Sequence, residues 1–139
     1  MTQKTQIKQP TFDKDGYPTE ETLRTIRHWG PTMIEDLMKF IASAWHWSDM
    51  AKQTSPGLWV FATGGWTGNE MLICALQESL AWLLAERICL PHGLVIIAIN
   101  DKAKEKLKKM HQQIVNWAWA GGKQTQTAGK YKTNSRKRR

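Results

Sequence analysis

Apolar and polar positions alternate along this chain with a period that changes several times. After Gly30-Pro31, the residues Ile34, Leu37, Ile41, Ala44 and Trp45 recur at intervals of three and four, and Met33, Met38 and Phe40 widen the stripe. That spacing predicts an amphipathic helix with a broad buried face, opened by a Thr32/Glu35 capping box. A shorter helix precedes it, capped by Thr19, with Glu20 and Glu21 in its positive first turn and Leu23, Ile26 and Trp29 inward. Residues 51–57 read as a turn-rich connection. Leu58 to Thr63 is continuously apolar and predicts a strand covered on both faces.

Three glycines in five positions follow (Gly64, Gly65, Gly68), and then a helix predicted from Asn69 to about Arg87, with Thr67 or Asn69 as its cap. Its apolar positions, including Leu72, Leu76, Leu80, Leu83 and Leu84, leave a narrow polar stripe and mark it as the central helix. Leu94 to Ile99 predicts a second buried strand, so the strand–helix–strand order implies a crossover with the two strands parallel. Asn100 caps a last helix whose Ala103, Leu107, Met110, Ile114 and Trp117 form a single inward stripe ending at Gly121-Gly122. The fold class is therefore α+β, a helix-rich single domain around a strand–glycine loop–helix–strand unit. Its expected limits are a flexible N-terminus over 1–11, a compact domain over 12–120 and a disordered basic tail over 121–139.

Composition sharpens this picture at three points. The 139 residues suffice for one core, and eight Trp against three Phe mean that some indoles stay at the surface, where their N–H groups find partners. Cys74 and Cys89 lie in apolar runs with no secretory signal ahead of Met1, which implies free thiols and a cytoplasmic location. Gln77, Glu78, Glu86 and Arg87 interrupt the longest apolar region, which argues against a membrane span.

Charge is unevenly placed. Residues 1–122 carry thirteen Lys/Arg against twelve Asp/Glu, whereas residues 123–139 carry seven basic groups and no acid. The candidate nucleic-acid contacts are therefore Lys102, Lys106 and Lys109 on the last helix, followed by Lys123, Lys130, Lys132, Arg136, Lys137, Arg138 and Arg139. The candidate ligand-binding set is the loop itself, Gly64, Gly65, Trp66, Gly68, Asn69 and Glu70.

Catalytic and metal chemistry find little support. Asp13 and Asp15 start like a calcium loop, but the sixth position is Pro18 and the twelfth Arg24, so they read as turn residues. His46 and Asp49, or Cys89 and His92, supply only two ligands each. No cofactor is expected. The glycine loop has no lysine after its last glycine, and Glu70 at a helix N-terminus would repel a phosphate.

Thr63-Gly-Gly-Trp-Thr-Gly-Asn-Glu70, together with Phe12-Asp-Lys-Asp-Gly-Tyr-Pro-Thr-Glu-Glu-Thr-Leu23, resembles small accessory proteins of tailed bacteriophages and prophages. The resemblance covers residues 12–87 and implies a viral accessory context in a host cytoplasm, with no reaction attached. The strand after the helix is aliphatic where that family has an aromatic one, and the lysine-rich helix lies outside the likeness. The expected function is an accessory binding protein without catalysis, its basic tail contacting nucleic acid or an acidic host protein. The alternatives are an inhibitor of a host defence protein acting through its tryptophans, and a small enzyme or nucleotide binder using the glycine loop.

Overall fold

The computed structural model describes residues 9–137, with side chains described for 9–119. Thr19 caps α1 (Glu20–Arg27) by accepting from the Thr22 N–H, as its sequence position requires. Asp13 Oδ1 accepts from the Asp15 and Tyr17 amides at 2.9 and 3.0 Å, so the carboxylate shapes a turn. Thr11 is already anchored, its N–H donating to Thr22 Oγ1 at 2.8 Å. The rest of the flexible segment expected over 1–11 falls mostly outside the described residues.

The second helix, α2 (Ile34–Ala44), starts without the expected Thr32/Glu35 box; its N-cap is Met33, left-handed at φ 59°, with no side-chain bond. Leu37, Met38, Phe40, Ile41 and Ala44 are its buried face. The connection after it is not merely a turn. It contains β1 (Ala51–Ser55), which pairs antiparallel with β2 (Leu58–Ala62) in a hairpin.

The expected central helix is broken. After α3 (Thr67–Gln77), the Ser79 N–H and Oγ–H both turn back to the Leu76 carbonyl, at 3.0 and 2.7 Å, and stop the helical ladder. A single turn, α4 (Leu80–Leu84), follows. Leu80, Leu83 and Leu84 are exposed there, Leu83 to 74%, and only Ala81 is buried. The chain then forms β3 (Glu86–Leu90), which begins within the expected helix and takes up the residues up to the turn, and turns through His92-Gly93 into β4 (Leu94–Ala98).

The sheet order is β1-β2-β4-β3, and every neighbouring pair is antiparallel. This corrects the expected parallel pairing of the strands at Leu58 and Leu94: Leu58 faces Ala98 and Ala62 faces Leu94. A crossover does exist, but it joins β2 to β3, which run parallel because each is antiparallel to β4. The strand made last has been inserted between them, which the break at Ser79 makes possible by releasing residues 86–90 from the helix.

Both faces of the sheet are covered, as the unbroken apolar strands require. On one side Trp59, Phe61, Val95 and Ile97 join Leu37, Ile41, Leu72 and Leu76 in the main core. On the other, Leu58, Ile96 and Ala98 are buried, as are Ala103 and Leu107 of α5 (Asp101–Lys137). Asn100 caps that helix, Oδ1 accepting from the Ala103 N–H at 2.8 Å, and the Lys104 ammonium donates to the Leu84 carbonyl at 3.0 Å. The chain divides at Leu107 into two units, the second beginning at Lys108.

Within α5 the inward stripe does not stay inward. Met110 and Ile114 are half-buried and Trp117 is 68% exposed, and among the described residues none from Lys108 onward belongs to the main core. The helix does not end at Gly121-Gly122 as expected, since α5 runs on to Lys137; the side chains over 121–139, where a disordered tail is expected, lie outside the described residues.

Candidate functional site

The glycine loop is built from Thr63 outward. Buried at the end of β2, Thr63 donates its N–H to the Gly93 carbonyl at 3.0 Å, which ties the loop to the β3–β4 turn. Its carbonyl accepts from the Trp66 N–H at 3.1 Å and from Asn69 Nδ2 at 3.2 Å. Its hydroxyl oxygen accepts from the Gly65 N–H at 3.3 Å. Closing so tight a turn takes left-handed backbone at Gly64 (φ 63°) and Gly65 (φ 79°).

Asn69 is neither a cap nor a ligand-facing group. It lies inside α3, wholly buried, with Oδ1 accepting from the His46 N–H at 2.9 Å and Nδ2 donating to the His46 carbonyl at 3.1 Å as well as to Thr63. The amide thus clamps the chain after α2 onto the loop. Gly68 is also buried, since a Cβ there would stand 2.5 Å from Trp66 Nε1. Of the six expected ligand residues, Gly64, Gly65 and Glu70 are exposed and Trp66 is half-buried. The helix cap is Trp66, with no side-chain bond.

What the loop presents is aromatic. Tyr17 stacks on Trp66 with centroids 4.9 Å apart and planes within 8°. His46 lies 5.0 Å from Trp66 on one side and meets Trp47 edge-on at 4.4 Å on the other. The two segments that carry the resemblance, 12–23 and 63–70, therefore meet in space through Tyr17 and Trp66. Trp47 is 46% exposed and sits at φ 69°, a conformation that costs a bulky residue about 1–2 kcal/mol. It is accommodated because its ring rests on Gly64, where a Cβ would come within 2.6 Å of Cζ3.

Sequence reasoning missed Tyr17 and Trp47 as site residues and weighed His46 only as a metal ligand beside Asp49. The pairing of two motifs in one resemblance was the signal for Tyr17. Nothing local marks Trp47, because its place depends on the Asn69 clamp twenty-odd residues away.

The two glycines can be told apart experimentally. Gly65→Ala adds only left-handed strain, about 1 kcal/mol, since nothing lies within 4 Å of its Cβ position. Gly64→Ala adds the same strain and displaces the Trp47 ring, so its loss should be about 2 kcal/mol. Chemical denaturation followed by tryptophan fluorescence should rank them in that order, with an altered native spectrum only for Gly64→Ala. Equal losses and unchanged spectra would mean that Trp47 does not depend on Gly64.

The start of α5 is a separate place. The Ile99 N–H donates to the Gly57 carbonyl at 2.9 Å, so α5 starts at the Leu58 end of β2 while the glycine loop leaves its Ala62 end. A strand of that length separates them by about 13–17 Å. Lys104 is engaged with Leu84, whereas Lys102, Lys106 and Lys109 are exposed and have no partner among the described residues. Their spacing of four and three keeps them on one strip of the helix. Trp119, 79% exposed, lies further along it.

No protein-family model, curated protein or solved structure matches the chain. Among the described residues no group of three or more His, Cys, Asp or Glu could hold a metal ion, and no helix is long and apolar enough to cross a membrane. Cys74 and Cys89 are free and exposed.

Proposed function

We propose that this is a non-catalytic binding protein that holds nucleic acid by its phosphates through the lysines at the start of α5 and the basic residues over 123–139. The observation that carries the reading is the division of charge. Residues 1–100 carry eight Lys/Arg against ten Asp/Glu, whereas residues 101–139 carry twelve against two. Lys102, Lys106 and Lys109 recur at about one helical turn, near 5–6 Å, a spacing compatible with neighbouring phosphates along a strand. Lys123, Lys130, Lys132, Arg136, Lys137, Arg138 and Arg139 continue the positive run in sequence. An accessory role in a phage-infected cytoplasm belongs to the same proposal and rests on the Thr63–Glu70 signature.

The glycine loop gives the nucleotide-binding alternative less support. Its amide side chain is wholly occupied by main chain, and Glu70 stands in the first turn of α3.

Salt dependence tests the proposal. If about seven of these ten cations meet phosphates, log affinity for a single strand should fall against log salt with a slope near −5. Replacing Lys102, Lys106 and Lys109 with Gln should remove about 2 from that slope and weaken binding roughly fifty-fold at 0.15 M salt, with the melting temperature unchanged. Titrating both proteins against one labelled oligonucleotide over a salt series measures this. Identical slopes would take α5 out of the account.

A further inference from the structure

The rings at the glycine loop sit among charges of the opposite sign to α5. Asp13 accepts from the Tyr17 amide, Asp49 follows Trp47 by two residues, and the Glu70 N–H donates to the Trp66 carbonyl. With Asp15, these put four carboxylates in the segments that carry the rings, against one base, Lys14, and all five are exposed. Trp66 is already packed by Tyr17 and His46, so the ring with open area is Trp47, 46% exposed; an indole face attracts cations, and nearby carboxylates strengthen that attraction while repelling phosphate. The surface therefore selects a guanidinium or an ammonium.

The chain itself contains a matching ligand. Residues 130–139 hold six Lys/Arg and no acid, with Arg136, Lys137, Arg138 and Arg139 consecutive. We propose that the aromatic, acidic surface formed by Tyr17, His46, Trp47 and Trp66 docks this basic segment from a second copy of the chain. Arg suits the site best, because its planar, weakly hydrated guanidinium stacks on an indole where a lysine ammonium only points at it. The left-handed backbone at Trp47 holds that large ring half-exposed beside His46. Docking uses cations that phosphate would also use, so copies of the chain and nucleic acid compete for one segment. The inference rests on ring geometry and charge complementarity and stands whether or not that segment also meets phosphate.

The test uses the full-length chain in sedimentation equilibrium at about 50 mM and about 500 mM salt, conditions that bracket effective screening. Association should be seen at low salt and lost at high salt. It should weaken by about tenfold in the Asp49→Asn, Glu70→Gln double variant, at exposed positions whose melt should stay close to wild type, and in Trp47→Ala, which also gives up its contacts with His46 and Gly64 and melts a few degrees lower. A synthetic peptide of residues 130–139 added in excess should return the wild-type chain to monomers and quench its tryptophan fluorescence, while the same peptide with Gln for each Lys and Arg should do neither. A chain that is monomeric at both salts overturns the proposal, as does association indifferent to Trp47→Ala or to the peptide. Quenching of the Trp47 signal by an oligonucleotide and not by the peptide would reassign the rings to nucleic acid and likewise overturn it. Because the lysine-strip variant is read by salt slope and this one by association, either result can fail without the other.

Discussion

Replacing Asn69 with alanine should lower the unfolding free energy by about 3 kcal/mol and the melting temperature by roughly 10–15 °C. The amide makes three hydrogen bonds to main chain, to the His46 N–H, the His46 carbonyl and the Thr63 carbonyl, from a wholly buried position. Alanine leaves the His46 N–H and carbonyl without this partner and takes one of two donors from the Thr63 carbonyl, which keeps the Trp66 N–H; each hydrogen bond lost costs about 1 kcal/mol. A helix cap, the role its sequence position suggests, would be worth only about 1 kcal/mol, so urea denaturation separates the two readings. Asn69→Asp adds a check with a sign. A carboxylate facing two carbonyls in a buried site is held above its ordinary pKa, so the neutral form is the one that fits. Stability of that variant should then be best below the pKa of an unfolded aspartate and fall as pH rises through the folded one. A flat profile between pH 4 and pH 8 would show that the site opens to water.

Gly93→Ala should be nearly as damaging, about 3 kcal/mol, although the residue lies in a turn. Its φ of 77° already disfavours any other residue, and a Cβ would be 2.0 Å from Thr63 Oγ1 and 3.2 Å from Thr63 Cβ. Thr63 cannot step aside cheaply. It is buried, it donates its N–H to Gly93 itself, and its hydroxyl accepts from Gly65, so moving it disturbs the first turn of the glycine loop. Denaturation midpoints for Gly93→Ala and Thr63→Ala, alone and together, measure the coupling. If the double variant loses about the sum of the two single losses, the contact does not carry the effect.

Side-chain period located the elements better than their partners. The strands at Leu58 and Leu94, the Thr19 and Asn100 caps and the α2 stripe are all legible because each depends on residues within a few positions. The break at Ser79 was not, since Leu76 to Leu84 keeps a helical apolar spacing, and only the back-bonding of Ser79 and the pairing of residues 86–90 with β4 decide against it. The parallel pairing fails for the same reason: residues 86–90 carry no strand signal of their own, divided between the end of the expected helix and the turn after it, so β2 and β4 are the only strands the sequence offers to join. At the site, Gly64 and Gly65 announce the turn in sequence, but the occupant of the space they vacate is Trp47, placed by an amide on another helix.

The inserted position of β4 also fixes the order in which the body can be completed. A chain ending before Leu94 holds the β1–β2 hairpin on one side and β3 on the other, two strand edges that run in the same direction and have no neighbour in common. Synthesis from the N-terminus therefore reaches a sheet only when its central and most aliphatic strand arrives, and β4 then closes both ladders in one step. Trimming from the C-terminus should be tolerated as far as the buried Leu107, whereas loss of five residues at Leu94–Ala98 would unmake the whole sheet. A stalled or clipped chain of that kind would expose β2 and β3 as open templates for other strands, so its expected fate is aggregation and not a smaller folded protein.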